Sequence, residues 1–387
     1  MNTRNVYLDH SATTPVDQRV VDAMLPYFTD KFGNASSLHR WGQAALSALD
    51  ASRRVIAEIL RANPQEIVFT GCGSESDNLA LRGVAFALRA KGNHIITTPI
   101  EHHAILNTAA QLEKEFGFEV TRVPVDRRGV VNPDDIARAI TPRTVLISVM
   151  YANNEVGTIE PLREIAKIAK GAQGREIVFH TDAVQAGGYL ELDVEKLGVD
   201  LMSLGAHKFH GPKGVGALYV RSGTPLVPMQ TGGSHERSRR AGTENIPYIV
   251  GMATALKIAQ SEREATNARL VALREKLIEG ILERVAGAEL TGDPKNRLPG
   301  HASFVIPGAI GDEMVLGLDL AGVATSTGSA CTAGSAEPSH VLAAMSYAAD
   351  VARGALRLTL GRANTDEDVA YAVDAVADVV RKLRREK

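Results

Sequence analysis

Three residues stand where local pattern could support covalent and proton-transfer chemistry: Lys208, Asp182 and Cys331. Lys208 follows the apolar run Val199-Asp200-Leu201-Met202-Ser203-Leu204-Gly205-Ala206-His207 and precedes a glycine-rich turn, Gly211-Pro212-Lys213-Gly214. A lysine at a strand end among small residues can form a Schiff base with a carbonyl compound when its ammonium is partly desolvated. The plain alternative is a surface lysine beside a turn, the common situation of this residue. Asp182, in His180-Thr181-Asp182-Ala183-Val184-Gln185, follows another apolar run, near the carboxyl edge at which open sheets bind ligands. It could cap a helix, or it could hold a protonated heteroaromatic nitrogen. Gly71-Cys72-Gly73-Ser74 joins a strand-like to a helix-like segment, so its N–H groups and the helix dipole could cradle a phosphate. Alone that signal is weak, because glycine-bearing junctions are common in α/β proteins.

The two cysteines read differently. Cys331 lies in residues 324–338, a run of small residues with little to anchor it in a core. That suits an accessible thiol which must travel to its target, although small residues also allow close packing against another backbone. Cys72, between two glycines at a strand end, reads as a small packing residue.

These side chains need a scaffold, and the pattern of the chain supplies one. Strands are expected at 67–70, 94–97, 120–123, 145–149, 177–180, 199–203 and 217–220, with helices between them at 75–89, 104–116, 134–139 and 162–170. Such alternation predicts an α/β fold with a mainly parallel sheet. From about residue 246 the pattern changes to one long amphipathic helix over 250–285, which would carry the chain into a smaller α+β unit. There, strands at 302–306 and 355–360 alternate with helices at 311–321 and 365–385. The 387 residues, 44% hydrophobic and 23% charged, are ordinary for a globular chain and argue against disorder. Forty-three basic residues against 45 acidic leave no positive excess, so the expected ligand is small and no direct nucleic-acid contact is expected. Two distant cysteines, a start without a signal-peptide apolar core and the lack of a membrane-length apolar run predict a cytoplasmic protein that does not engage a membrane.

Taken in order, the motifs resemble those of the pyridoxal-phosphate-dependent cysteine desulfurases of the NifS/IscS type, within the class V aminotransferase group. They are residues 7–15, Gly33-Asn34-Ala35-Ser36-Ser37 with His39, Ser74-Glu75-Ser76-Asp77-Asn78, Glu101-His102-His103, Asn153-Asn154-Glu155-Val156-Gly157, Asp182-Ala183-Val184-Gln185, Ala206-His207-Lys208, residues 232–237 with Arg240-Ala241-Gly242-Thr243, and Gly328-Ser329-Ala330-Cys331. The resemblance implies the aspartate-aminotransferase-like fold of type I. It divides the chain into a large pyridoxal-phosphate-binding domain, 15–258, and a small domain of residues 1–14 and 259–387 carrying the cysteine loop at about 323–338. It also implies a homodimer, L-cysteine as substrate and an iron–sulfur scaffold protein of the IscU kind as sulfur acceptor.

Residue roles follow from the same resemblance. Lys208 would carry pyridoxal 5'-phosphate and move the substrate Cα proton, and His102 would stack on the ring and shuttle protons at the substrate thiol. Asp182 would pair with the ring nitrogen, Gln185 with the phenolic oxygen, and Asn154 would touch the ring region and the substrate. Gly73, Ser74 and His207 would hold the phosphate, with Thr243 reaching it from the other subunit. Arg357 would grip the substrate carboxylate, and Ala12, Thr13 and Asn34 would help close the pocket. Cys331 would attack the substrate sulfur as a thiolate, taking a persulfide and releasing L-alanine, and could also serve as a transient iron–sulfur ligand.

Two positions depart from the family pattern. Gly205, in the phosphate-binding stretch, stands where the family often has a serine, and Ala35 replaces a frequent proline. A selenocysteine lyase or another class V aminotransferase would share the cofactor residues without using Cys331 to carry sulfur. A degenerate, non-enzymatic relative would have lost Lys208 or Asp182, and both are present.

Overall fold

The computed structural model describes residues 4–171, 177–328 and 339–385. Its strands, in chain order, are β1 (Val6–Tyr7), β2 (Ile67–Thr70), β3 (His94–Thr97), β4 (Glu119–Arg122), β5 (Thr144–Ser148), β6 (Val178–Asp182), β7 (Leu201–Gly205), β8 (Gly216–Val220), β9 (Glu289–Leu290), β10 (His301–Val305), β11 (Val323–Ala324) and β12 (Ala355–Thr359). Seven form the large sheet, in the order β2-β8-β7-β6-β5-β3-β4. Within it β8 runs antiparallel to both neighbours and the other pairs are parallel, so the carboxyl ends of β2, β3, β5, β6 and β7 meet at one edge. A sheet covered on both faces reads as continuous apolar runs. Accordingly Ile67 and Phe69 of β2 enter one buried cluster while Val68 enters the cluster on the opposite face.

A second core is built around the antiparallel sheet β12-β10-β9 and the helices Arg263–Arg284, Gly311–Leu320 and Asp366–Arg385. The long helix expected over 250–285 is two helices, Ile246–Ser261 and Arg263–Arg284, broken at Glu262 (φ −97°, ψ 3°). The reason lies in what each half buries. Ile249, Met252 and Leu256 pack in the core of the large sheet, whereas Leu270, Leu277 and Ile281 pack in the second core. The chain turns where it passes between them, and there Arg19 and Arg362 both pair with the Glu262 carboxylate. The 21-residue helix Arg40–Leu60 and the parallel pair β1/β11 lie outside the elements expected from pattern.

The second sheet is tied to the edge of the first by the strap Leu8 to Thr14. Thr359 N donates to Leu8 O and Ser11 N to Thr359 Oγ1, on β12. At the far end Thr14 N donates to His207 O, just after β7. Among the described residues no helix is long and apolar enough to cross a membrane.

Candidate active site

A cavity of about 370 Å³ opens at the carboxyl edge of the large sheet, within the size range of small-molecule sites. Lys208 ends the short turn Ala206–Lys208 that follows β7, and its Nζ donates to Ser11 O and, at 2.9 Å, to Ala12 O. Both carbonyls belong to the strap, and Gln185 Nε2 also donates to Ser11 O at 2.9 Å. Two backbone carbonyls of the strap therefore hold the amine in the cavity wall.

Asp182 is the last residue of β6 and is 6% exposed, with Oδ1 accepting from Val184 N at 2.8 Å. Burial pushes its carboxyl up, opposed by His102, by the Val184 hydrogen bond and by Lys208. Below it Asp77 is wholly buried and pushed well above the carboxylate range by burial and then by Asp182. His180 sits 3.8 Å from Asp77, its ring nitrogens bonded to Ser148 Oγ (2.9 Å) and Ser203 Oγ (3.0 Å). Burial lowers His180 to about 3, so it stays neutral.

His102 caps the helix His103–Phe116, its Nδ1 accepting from Ala104 N at 3.1 Å. The neutral ring therefore carries its proton on Nε2. Burial lowers its pKa, while Asp182 acts in the other direction. His207 shares a hydrogen bond with Thr13 Oγ1 (3.2 Å) and is lowered to about 4 by burial, then by Lys208 and Lys213.

A helix N-terminus also lines the cavity, at Gly73 and Ser74. The helix Gly73–Leu88 starts without a side-chain cap from Cys72, and the first N–H groups of a helix have no partner within it. A Cβ on Gly73 would lie 2.7 Å from Val184 Cγ2, so only glycine lets this helix approach the β6 loop so closely. Glu75 fixes the preceding turn by accepting from Gly71 N (2.6 Å) and Arg240 Nε (2.8 Å).

Arg357 on β12 is 2% exposed and lines the same cavity. Its Nη1 donates to Asn154 O (2.9 Å) and Gly328 O (3.1 Å), its Nη2 to Asp9 Oδ1 (2.7 Å), and its buried Nε has no partner among the described residues. A guanidinium in the cavity wall suits an incoming carboxylate.

Of the expected site residues, Ala12, Gly73, Ser74, His102, Asn154, Asp182, Gln185, His207, Lys208 and Arg357 line this one cavity. Asn34 is not brought to it: its Oδ1 accepts from Ser36 N at 2.8 Å in a local turn. Thr13 touches His207 from behind without lining the cavity. Thr243 is exposed and lines a separate pocket of about 230 Å³ beside Gly71 and Arg240. Gly205 ends β7 outside the cavity lining, where an added Cβ would lie 3.3 Å from Val184 Cγ1 and 3.6 Å from Gly73 N. Cys331 lies outside the described residues. Cys72 corrects the expectation of a packing residue: it is exposed and lines the cavity, because the strand-to-helix turn places it at the helix cap, beyond the core.

Pattern reasoning gave no role to Asp77, His103, Glu155 or His340, which also line the cavity. The His103 and His340 rings lie 4.7 Å apart, and His340 Nε2 meets Glu101 O at 3.0 Å. Asp77, His103 and Glu155 sit inside motifs already singled out, so position was legible where role was not.

Comparison with known proteins agrees with this geometry. The profile of the family described as aminotransferase class-V matches residues 6–371. The chain belongs to that family. Within the family it is 49% identical over 381 residues to cysteine desulfurase IscS of Dictyoglomus turgidum, covering 98% of this chain and 96% of that one. It is 50% identical over 379 residues to cysteine desulfurase IscS of Methanosarcina thermophila, covering 98% and 93%. Among solved structures it resembles a NifS-like protein with a TM-score of 0.92 at 38% identity, covering 98% of this chain and 100% of the other. It also resembles SspA in complex with cysteine, with a TM-score of 0.81 at 36% identity over 92% of this chain and 98% of the other. The α/β architecture is thus that of the pyridoxal-phosphate-dependent class V enzymes.

Proposed function

We propose that this chain is a pyridoxal-phosphate-dependent cysteine desulfurase that takes sulfur from L-cysteine onto Cys331 and delivers it for iron–sulfur cluster assembly. The observation that carries the reading is the set of groups that line one cavity: a helix N-terminus with His207, Lys208, buried Asp182, and Arg357. Together these groups would suit a phosphate, an aldehyde carbon, a ring nitrogen and a substrate carboxylate. Bound there, pyridoxal phosphate supplies an electron sink for the bonds at the substrate Cα and Cβ.

The protein's own groups do the rest. Gly73, Ser74 and His207 hold the phosphate, and Thr243 reaches it from the second subunit of a homodimer. Asp182, whose ionised form is disfavoured by burial, is stabilised by a proton kept on the ring nitrogen. Gln185 orients the phenolic oxygen and His102 stacks above the ring. Lys208, held by the strap carbonyls, anchors the cofactor and then moves the proton at Cα. His102, with its proton on Nε2 when neutral, moves a proton at the substrate sulfur. Arg357 fixes the substrate carboxylate. The balanced outcome is L-cysteine plus the Cys331 thiol giving L-alanine plus a Cys331 persulfide.

On this reading residues 15–258 form the cofactor domain and residues 1–14 with 259–387 the small domain, a division supported by the two separate cores. The persulfide acceptor is an iron–sulfur scaffold protein of the IscU kind, and the site of action is the cytoplasm. The test is mass spectrometry of Cys331 after addition of L-cysteine to the cofactor-loaded protein. A persulfide at Cys331, lost in Cys331→Ala together with alanine formation, is expected. Undiminished alanine and sulfide from Cys331→Ala would overturn the mechanism, and borohydride that leaves Lys208 unmodified would overturn the cofactor assignment.

A further inference from the structure

Asp77 lines the cavity yet is 0% exposed, and neither of its carboxyl oxygens has a hydrogen-bond partner among the described residues. It lies on the helix Gly73–Leu88, one turn after Gly73, so the two share the helix face that meets Val184 just past β6. On β6, His180 and Asp182 alternate by two and therefore share a face of the sheet. Asp77 Oδ1 stands 3.8 Å from His180 Nε2, and Asp182 lines the same cavity. His180 offers no positive charge, because burial keeps it neutral while its ring nitrogens are bonded to Ser148 Oγ and Ser203 Oγ. Burial is the main force against ionisation of Asp77. Asp182, Glu101 in the loop after β3 and the Cys72 thiol at the helix cap add to it, and Ser203 on β7 works against it.

An ionised carboxylate is an acceptor only and needs donors around it. Asp77 has none among the described residues, and two carboxylates that share a desolvated space do not both ionise. We propose that the ring-nitrogen site is a carboxyl pair in which Asp77 remains a neutral acid behind Asp182, so that the pair carries one negative charge and Asp182 presents it to the cavity. The proposal rests on the cofactor reading above and makes Asp77 a positioning residue that acts through Asp182. It also gives Asp77 a second capacity. When Asp182 is replaced by a neutral residue, the repulsion on Asp77 falls, and a positive charge on the ring nitrogen would draw ionisation onto it. The two carboxyls are then partly redundant, and their substitutions should not act independently.

The experiment uses wild type, Asp77→Asn, Asp182→Asn and the Asp77→Asn/Asp182→Asn double variant, since asparagine keeps the shape of a neutral aspartic acid. Infrared spectra of the apoproteins at neutral pH report the C=O stretch of un-ionised carboxyl groups. Glu101 and Glu160, both raised to about 8 by burial, contribute the same kind of band, so the difference between wild type and Asp77→Asn is what is read. Pyridoxal phosphate affinity, cofactor absorbance and turnover of L-cysteine are then measured after loading. One acid band is expected to be lost in Asp77→Asn. The same substitution should reduce turnover roughly threefold by itself and at least roughly thirtyfold in the Asp182→Asn background. An Asp77 that served packing alone would give equal losses in both backgrounds. Equal losses, or an infrared difference without an acid band, would overturn the proposal. If the double variant does not fold, the infrared difference decides the question. Failure of the wild type to bind pyridoxal phosphate would overturn the cofactor reading and the role of Asp77 with it, whereas a missing acid band with normal cofactor binding would overturn the carboxyl pair alone.

Discussion

Replacing Arg357 by lysine tests whether this side chain binds the substrate carboxylate or serves only the fold. Arginine has five N–H donors in a rigid fork. Three are engaged by Asn154 O, Gly328 O and Asp9 Oδ1, which leaves Nε–H and one Nη2 hydrogen. Lysine keeps the charge but offers a point ammonium that cannot meet two carbonyls, Asp9 and a bound carboxylate together. Breaking a buried ion pair can cost about 3–5 kcal/mol. Here Asp9 is 19% exposed and the charge is retained, so the structural loss should be smaller, about 1–2 kcal/mol. The substrate term is separable. One charge-assisted hydrogen bond contributes about 1.5–3 kcal/mol, roughly 10- to 150-fold in kcat/KM. The assay compares L-cysteine with cysteamine, which has the same amine and thiol but no carboxylate. Arg357→Lys should reduce kcat/KM for cysteine by that factor and leave cysteamine nearly unaffected, so that discrimination between them collapses. Equal losses on both compounds, or preserved discrimination in a folded, cofactor-loaded variant, would refute a carboxylate role.

Asp182→Asn keeps an acceptor for Val184 N but removes the charge proposed to pair with the ring nitrogen, and turnover should fall by about 10² or more while cofactor absorbance shifts. Gly205→Ser requires Val184 to give way slightly, since its Cβ would meet Val184 Cγ1 at 3.3 Å; with that shift the added hydroxyl near Gly73 N should tighten pyridoxal phosphate binding roughly threefold to tenfold in a titration of the apoprotein. Stability should fall on acidification from pH 6.5 toward 4, because His10, His207 and His180 are held to about 4, 4 and 3 by burial and the unfolded chain takes up protons that the folded one refuses. Glu101 and Glu160 act in the opposite direction. Burial raises both to about 8, so the unfolded chain ionises first and stability is lost as pH rises from 4.5 toward 8. Where the two windows overlap the three histidines outweigh the two glutamates, so melting temperature should peak near pH 6.5, and Glu160→Gln should flatten the alkaline limb; an unchanged alkaline slope would exclude Glu160 as its source.

Pattern located the chemistry where secondary structure is continuous with it. β2 and β3 occupy the expected 67–70 and 94–97, and the helices around them start within two residues of expectation, because buried parallel strands write themselves as apolar runs. Lys208, Asp182 and the Gly73 cradle follow such runs directly, so their convergence was legible. What escaped were contacts set by separations of hundreds of residues. The break at Glu262 depends on Arg19 and Arg362, and the exposure of Cys72 depends on where a helix starts relative to β8. Glu155 was visible within a motif, but nothing in its neighbours announces Ser339, 184 residues away.

The same long-range contacts explain how Lys208, proposed to carry the cofactor, and Arg357, proposed to bind the substrate, are positioned together from two different sheets. Lys208 follows β7 and Arg357 lies on β12, and no strand pairing links the two sheets that carry them among the described residues. The strap makes the connection with one short stretch of backbone: Asp9 holds Arg357 Nη2, Ser11 and Ala12 hold Lys208 Nζ, and Thr14 bonds to His207. Because Ser11 N is itself bound by Thr359 Oγ1, two residues from Arg357, a shift of β12 must move the carbonyls that orient the lysine. Thr359→Val, which removes that hydroxyl with little change of shape, should therefore perturb cysteine binding and cofactor absorbance together. Altered cysteine affinity with an unchanged lysine environment would mean that the two sheets position their residues independently.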